Sequence, residues 1–260
     1  MKLATFPFRL AVFPVLQALS FTACILLYEA SPVISLSMLA LSALCLNFSV
    51  HIFFHECVHR SGSYPAIFNF LASVFIGLPF DGYRIHHYNH HRHENGERDL
   101  STTWNYTGKN RIARSALSYA LGWPRQIIDS LNRFRVYDDA SDNIAFFQRR
   151  ISIQKRFLQL GLLLTAIFSW KIAIAYVLMI YFGWVFTAMQ NYGQHPPVGE
   201  DKARTFTNPL YNLLFFNNGL HWEHHNNPSL QWHELKESNN SKRIHCAHLL
   251  NPIFNTGEEQ

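Results

Sequence analysis

The sequence predicts an all-α integral membrane protein with four transmembrane helices in two hairpins and a cytoplasmic helical cap that carries clustered histidines. Three observations lead to this prediction. Charged residues make up only 15% of the 260 residues, whereas typical soluble domains contain about 25%. The apolar residues are concentrated in long uncharged blocks, and 14 of the 15 histidines lie outside the apolar interior of those blocks. Segregation of this kind is typical of a polytopic membrane protein.

The first hairpin is predicted from two blocks near the N-terminus. Residues 10–28 (LAVFPVLQALSFTACILLY) and 33–54 (VISLSMLALSALCLNFSVHIFF) contain no charged side chain, and only EASP separates them. At a rise of about 1.5 Å per residue, each block is close to the ~30 Å of a bilayer core. Both blocks are therefore predicted to span the membrane.

The second hairpin is predicted from residues 157–170 and 172–189, which are separated by Lys171. The first of these spans is short unless its helix extends back past Lys155 and Arg156, whose charged ends can reach the membrane surface. Residues 66–80 are also apolar but number only 15, too few for a span. We expect an interfacial or re-entrant segment there, with a buried core helix as the alternative.

The distribution of basic residues predicts the orientation. Of the 22 Lys and Arg residues, 14 lie between Arg60 and Arg156, and only Lys171 lies in a hairpin loop. By the positive-inside rule, both termini and the histidine-rich region face the cytoplasm. The net charge of +5 then describes this cap and not a nucleic-acid site. No low-complexity linker divides the chain, so residues 1–260 are predicted to form a single domain.

The histidines fall into groups with helical spacing. Residues i and i+4, or i, i+3 and i+4, project from one face of a helix. HECVH has the first spacing, HYNHH and HWEHH have the second, and the NYGQH element places an Asn and a His four residues apart. The predicted ligands are His55, His59, His87, His90, His91, His195, His221, His224 and His225, with Asn191 as a tenth group.

This number of ligands predicts two metal ions, because one ion such as zinc takes only three or four protein ligands. Imidazole binds iron, copper, nickel and zinc, so the residue type leaves the metal open. The four Cys residues show no CxxC spacing and predict neither a disulfide framework nor a structural zinc site. A metal pair beside the membrane favours oxidation of a hydrophobic chain.

The four histidine elements, in this order and with a membrane hairpin between the second and third, resemble the integral-membrane fatty acid desaturase superfamily. The resemblance covers residues 10–235 and implies a non-haem di-iron centre on the nine histidines, with Asn191 acting through a water molecule. Glu56 and Asp99 are then expected to hydrogen bond ligand imidazoles through their other ring nitrogens. The family often has Asp-Pro where this chain has Asp99-Leu100, so the resemblance does not assign the subfamily.

The resemblance implies an oxidoreductase that uses O2 to desaturate the acyl chain of a lipid or carrier-bound fatty acid. The chain contains no flavin fingerprint, haem-attachment motif or iron–sulfur cysteine cluster, so electrons must come from an external ferredoxin or cytochrome b5 type donor. An acidic donor could dock on the basic residues of the central region. Anionic lipid headgroups are the alternative partner for these residues. They are Arg111, Arg114, Arg125, Arg133 and Arg135.

Three alternatives remain open from the sequence. HWEHHNNPSLQWHEL and the length of 260 residues also resemble carotenoid ketolases and hydroxylases of the same superfamily. Acyl hydroxylation or acetylenation is a second possibility. The third is a membrane zinc metalloprotease, because His55-Glu56-x-x-His59 has the spacing of a zinc site with a general base. His51 and His86 each lie one helical turn from a predicted ligand and compete for a place in the ligand set.

Overall fold

The computed structural model describes residues 7–60, 64–107, 110–133, 143–198, 203–239 and 243–244. Within these ranges helices predominate, which confirms the predicted all-α class. The helices are α1 (Val12–Leu27), α2 (Pro32–Phe48), α3 (His55–His59), α4 (Ala66–Ile76), α5 (Phe80–His93), α6 (Ala116–Leu121), α7 (Trp123–Arg133), α8 (Asn143–Phe168), α9 (Trp170–Gln194), α10 (Pro209–Leu214) and α11 (His221–Asn226).

Four stretches of the described chain are long and apolar enough to cross a membrane, as predicted. They are Phe8–Leu27, Pro32–His59, Gln148–Phe168 and Trp170–Gln194. The third extends back past Lys155 and Arg156, and the long aliphatic stems of these residues are compatible with a position at the membrane edge. Ser169 alone separates α8 from α9, so the second hairpin has a very short turn.

The second span continues without a break into the HECVH element. Between α2 and α3 the helix widens into a π-helical stretch, Ser49–Phe54, in which every residue is buried. Such wide turns are rare and occur frequently at functional sites. The apolar run of the sequence predicts that this span ends at residue 54, and it does not indicate the change in helix geometry.

Helices α4 and α5 are bent by 82° at a short break. Gly77 ends α4 in the left-handed conformation, with φ +70, which costs glycine little because it has no Cβ. Two side chains of α9 donate hydrogen bonds to the last carbonyls of α4. Trp184 Nε1 donates to Ile76 O at 2.7 Å, and Tyr176 Oη donates to Val74 O at 2.7 Å. The pair is one bent span or a re-entrant loop by length and composition, and the predicted interfacial placement of residues 66–80 stays a prediction.

A buried charged cluster follows the break. Asp81 is fully buried, and Arg84 Nη2 and Arg150 Nε lie 3.3 and 3.0 Å from its carboxylate. Gln154 of α8 donates to the same carboxylate at 2.5 Å and accepts from the Asp81 backbone N–H at 3.1 Å. These contacts tie the start of α5 to α8, because a buried charge is stable only when it is paired and hydrogen bonded.

Two small sheets complete the described structure. Strands β1 (Trp104–Thr107) and β2 (Asn110–Ala113) form an antiparallel hairpin in which Trp104 faces Ala113 and Thr107 faces Asn110. Strands β3 (Thr205–Phe206) and β4 (Arg243–Ile244) pair in parallel. Neither sheet was predicted from the sequence, because strands this short carry no detectable alternation.

By contacts the chain divides into two compact units. The first comprises residues 1–85 and 139–184, and the second comprises residues 86–138 and 185–260. Most of the apolar spans lie in the first unit, and the histidines from His86 onward lie in the second. The prediction of one domain over residues 1–260 stays a prediction.

Candidate metal centre

Seven of the nine predicted histidine ligands lie in the second unit, and the structure sorts them into two groups. Four of them form what we call the four-histidine group, and three form the three-histidine group. In each group the ligand nitrogens lie within 4.8 Å of one another. The four-histidine group is His90, His195, His221 and His225, and the three-histidine group is His87, His91 and His224.

Two of the histidine motifs of the second unit, HYNHH and HWEHH, each contribute to both groups. On α5, His87 and His91 lie in one group and His90 in the other, and on α11 His224 is separated from His221 and His225 in the same way. Successive residues of an α-helix are rotated by about 100°. Two adjacent histidines on one helix therefore point in different directions and can serve two ions.

The ring nitrogens of the four-histidine group converge closely. Nε2 of His195 lies 3.0 Å from Nε2 of His90 and 2.8 Å from Nε2 of His221, which lies 3.2 Å from Nε2 of His225. All four residues are buried. Four imidazole nitrogens therefore face one small volume.

The three-histidine group is arranged similarly. Nε2 of His91 and Nε2 of His224 lie 3.0 Å apart. The His87 ring lies 4.5 Å from the His91 ring and stacks over the His224 ring at 6.5 Å. The structure thus places His87, and not His86, in a ligand group of the described residues.

These distances fit metal binding better than hydrogen bonding. Each neutral imidazole nitrogen has either one proton or one lone pair, so a run of four facing nitrogens cannot satisfy every contact with protons. Neighbouring imidazole nitrogens bound to one ion at about 2.0–2.1 Å lie about 2.9–3.4 Å apart, close to the separations in this site. Burial, and then the imidazoles of His221 and His195, lower the pKa of His225 well below 6.5. The neutral form that this favours is the form that binds a metal.

Asp99 contacts one histidine of the four-histidine group. It is 1% exposed, and Oδ2 accepts a hydrogen bond from His90 Nδ1 at 2.9 Å. Burial by itself would raise the pKa of Asp99, but the charge and hydrogen bond of His90 and the backbone N–H groups of Ser101 and Asn95 outweigh it and hold the pKa well below its usual value. An ionised Asp99 keeps the proton of His90 on Nδ1 and leaves the Nε2 lone pair directed at the other imidazoles.

A second carboxylate lies beside the same group. Oε1 of Glu94 is 3.6 Å from Nδ1 of His225. Glu94 follows α5 directly and has a positive φ of 36, so the chain turns sharply after the last histidine of that helix. Glu94 was not predicted as a site residue from the sequence, because its approach to His225 depends on the fold.

Asn95 was also missed, although it connects three parts of the site. Its backbone N–H donates to Asp99 Oδ2 at 2.6 Å, and its Nδ2 donates to the carbonyl of His195 at 3.2 Å. Its Oδ1 accepts from the backbone N–H of Thr103 at 2.7 Å, and the Thr103 hydroxyl donates to the His195 carbonyl at 2.7 Å. The left-handed backbone of Asn95, φ 62, is one that Asn tolerates well, and an isolated Asn-Gly pair is the one local signal that could have indicated it.

The last histidine motif is supported by buried neighbours. Trp232 is 1% exposed, and its ring lies 4.6 Å from that of His224 and 6.4 Å from that of His221. Glu223, between these histidines, accepts hydrogen bonds from the Thr205 hydroxyl and from the Ser238 backbone N–H. These contacts hold the short helix α11 from both sides.

The HECVH element lies in the first unit. His55 is buried, and its ring centroid lies 4.9 Å from that of His59. Glu56 is buried too and forms an ion pair with Arg60 at 2.8 Å. His51 lies in the π-helical stretch and belongs to neither group of possible metal ligands among the described residues.

Asn191 lies one helical turn before His195 at the end of α9. Its Nδ2 donates a hydrogen bond to the hydroxyl of Tyr119 at 2.8 Å and lies 3.5 Å from the carbonyl oxygen of Ser101. Tyr119 was not predicted as a site residue from the sequence, since its approach to Asn191 joins residues 72 positions apart.

Together these features define a helical integral membrane protein with convergent, buried histidines that are suited to bind metal. A comparison with family models agrees with this class: the fatty acid desaturase model matches residues 30–241. The chain belongs to the fatty acid desaturase family. It is accordingly a desaturase-like oxidoreductase that acts on lipid. No individual curated protein matches the chain.

Proposed function

We propose that this protein binds two iron ions and uses O2 to introduce a double bond into the acyl chain of a lipid or carrier-bound fatty acid. The observation that supports this most directly is the pair of histidine groups in the second unit, whose ring nitrogens approach one another to 2.8–3.2 Å. Two groups that both draw histidines from α5 and α11 suit a two-metal centre.

The ligand set of the proposal is the one predicted from the sequence. The four-histidine group binds one ion, and the three-histidine group binds the other. We propose that His55 and His59 are metal ligands as well. Asn191 acts through a water molecule. Asp99 orients His90, and Glu56 is proposed to support the HECVH imidazoles.

The protein's own part in the reaction is to hold and shield the centre. The irons, when bound, supply with O2 the oxidising power that an unactivated methylene requires and that no side chain provides. Asp99 keeps the proton of His90 on Nδ1, so that Nε2 stays available as a ligand. Burial of the four-histidine group excludes bulk water, which would otherwise compete for the coordination positions.

The partners and the orientation are also proposals. Both termini and the histidine-bearing cap face the cytoplasm, since most Lys and Arg residues lie there. A ferredoxin or cytochrome b5 type donor supplies electrons by docking on Arg111, Arg114 and Arg125. Arg111 lies over the ring of Trp104 on the hairpin, 4.5 Å from the centroid. Of the other two predicted basic residues, Arg135 lies outside the described residues, and the side chain of Arg133 is not described.

The test measures the metal content of the purified protein and the fatty acids of the host that expresses it. Protein purified in mild detergent is expected to contain about two irons per chain, and fatty acid methyl esters from a host that expresses it should gain unsaturation. His224→Ala should remove the new unsaturation, whereas His233→Ala, which changes an exposed histidine of the same region, should retain it. Unchanged fatty acids together with keto or hydroxy groups on β-carotene in a carotenoid-producing host would replace the proposed substrate by a carotenoid. One zinc per chain without iron would contradict the di-iron centre.

A further inference from the structure

The side chain of Asn191 is held by a chain of hydrogen bonds through Tyr119 to Ser101. This chain determines whether Nδ2 or Oδ1 of the Asn191 amide faces Tyr119. Tyr119 is 3% exposed, and its hydroxyl donates to the carbonyl oxygen of Ser101 at 2.7 Å. The same hydroxyl lies 2.8 Å from Nδ2 of Asn191. All three residues belong to the second unit.

The direction of these hydrogen bonds follows from the donors and acceptors present. A carbonyl oxygen can only accept a hydrogen bond, so the Tyr119 hydroxyl uses its single proton in the hydrogen bond to the Ser101 carbonyl. Toward Asn191 the hydroxyl can then only accept, and the partner must be the NH2 end of the amide. The weaker approach of Nδ2 to the Ser101 carbonyl at 3.5 Å requires the same orientation.

We propose that Tyr119 is a positioning residue that directs Oδ1 of Asn191, and not Nδ2, toward the metal centre. This inference rests on the proposed function, in which Asn191 acts through a water molecule bound at that centre. An amide oxygen accepts a hydrogen bond from such a water, whereas an NH2 group would oppose it. Without the Tyr119 hydroxyl the two orientations of the amide differ less in energy, and both become populated.

Ser101 links this chain to the four-histidine group as well. Its hydroxyl lies 3.1 Å from Nδ1 of His90 and donates to Oδ1 of Asp99 at 2.8 Å. One short loop therefore positions both the imidazole of His90 and, through Tyr119, the amide of Asn191. Tyr119 therefore helps to position the site residue Asn191, although Tyr119 itself belongs to the separate helix α6.

Tyr192 provides a matched control. It is also buried, 5% exposed, and its ring lies 5.6 Å from that of Tyr119. Its hydroxyl donates to a backbone carbonyl, that of Arg114, at 2.7 Å. Tyr192→Phe therefore removes the same atom and a hydrogen bond of the same kind, from a residue of similar burial, without removing the partner of the Asn191 amide.

The experiment loads wild-type protein, Tyr119→Phe and Tyr192→Phe with ferrous 57Fe and records iron content and Mössbauer spectra. We expect all three to bind iron, with the same spectrum for wild type and Tyr192→Phe. In Tyr119→Phe the quadrupole doublet of one iron should broaden or split, as two amide orientations coexist. A Tyr119→Phe spectrum that superimposes on that of wild type overturns the inference, including the case in which less iron is bound but its spectrum is unchanged.

A coupling measurement tests whether the effect passes through the amide. Asn191→Asp presents an oxygen on both sides, so adding Tyr119→Phe to it should leave the spectrum unchanged. An equally large effect of Tyr119→Phe in both backgrounds overturns the inference.

If Tyr119→Phe does not yield monodisperse protein, Asn191→Leu should alter the doublet of one iron, and an unaltered spectrum overturns the inference. A wild-type protein that takes up no iron overturns the proposed function and this inference with it, whereas unchanged spectra from iron-loaded protein overturn this inference alone.

Discussion

At the scale of single residues, the roles of the histidines depend on small rotations within a helix. His90 and His91 are adjacent in sequence, yet they lie in different ligand groups, because about 100° of helical rotation separates them. Local spacing predicts both as ligands, and only the approach of His195 and α11 determines which imidazole nitrogens converge.

Asp99 gives a prediction at this scale. Asp99→Asn should weaken metal binding about 10–100-fold, the usual effect of removing a group that orients a ligand, because a neutral amide holds the Nδ1 proton of His90 less firmly. Iron affinity of the detergent-purified protein, measured by competition with a chelator, tests this. Glu97→Gln, the same chemical change at an exposed position two residues away, should leave the affinity unchanged. Equal affinities for Asp99→Asn and wild type would contradict the role of the carboxylate.

His225 gives a second prediction, concerning pH. Its pKa in the folded protein lies well below 6.5, because burial disfavours the charged form. A group whose folded pKa is depressed contributes stability that is fully present above the unfolded pKa and is lost as pH falls through the folded pKa. Metal-free protein should therefore lose up to about 1.4 kcal/mol per pH unit from this residue below pH ~6.5.

Thermal unfolding of the metal-free protein in detergent between pH 8 and pH 5 measures this loss. His225→Gln, which cannot titrate, should flatten the decline, whereas His233→Ala should follow the wild-type curve. A wild-type melting temperature that is constant over this range would rule out a neutral buried His225.

At the scale of helices, the chain departs from regular geometry next to two of the histidine motifs. The π-helical stretch Ser49–Phe54 precedes HECVH, and the 82° bend precedes HHYNHH. The first changes the geometry of the helix that ends in HECVH, and the second changes the direction of the chain before α5 presents its histidines. A hydropathy or periodicity analysis assumes regular helices, so it detects neither.

Gly77 allows a direct test of the bend. A Cβ at this position would lie 2.6 Å from the side chain of Ile180 and would require an L residue at φ +70. Gly77→Ala should destabilise the protein by about 1–3 kcal/mol, measured as a lower melting temperature in detergent. Gly161→Ala on α8, where no atom lies within 4 Å of the added Cβ, should be neutral or stabilising by up to about 1 kcal/mol. Equal melting temperatures for the two variants would contradict the left-handed conformation of Gly77.

At the scale of the whole molecule, the four predicted spans predict that both termini lie on the same side of the membrane. In the first unit the two hairpin loops lie together, since Lys171 Nζ is 3.5 Å from Glu29 Oε1 and 4.9 Å from the ring centroid of Tyr28. The predicted orientation places both loops outside the cytoplasm and the histidine-bearing cap inside it.

Cysteine labelling in intact cells tests this orientation. In a Cys246→Ser background, a membrane-impermeant maleimide should label Glu29→Cys and Ser169→Cys directly. Lys236→Cys, at an exposed position of the second unit, should react only after permeabilisation. The remaining native cysteines, Cys24, Cys45 and Cys57, are buried and should contribute little background. The opposite labelling pattern would reverse the orientation while leaving the four spans intact.

The sequence alone determined the features that depend on local pattern. Uncharged runs predict the four spans because the bilayer core excludes charge, and the spacing of His87, His90 and His91 predicts a shared helix face because helical geometry is regular. The motifs also predicted the family to which the chain belongs. The span bounds were predicted less accurately: the third span begins nine residues before its predicted start. A hydropathy window does not register where the charged end of a basic side chain can extend away from an apolar surface.

Only the tertiary structure decided which groups meet. His90 and His195 are 105 positions apart, Asn95 reaches the His195 carbonyl over 100 positions, and Tyr119 reaches Asn191 over 72. No periodicity records contacts at such separations, because they arise from the packing of whole helices and loops. The division of the histidines into two groups, the carboxylates beside His90 and His225, and the hydrogen bond that orients Asn191 all depend on that packing.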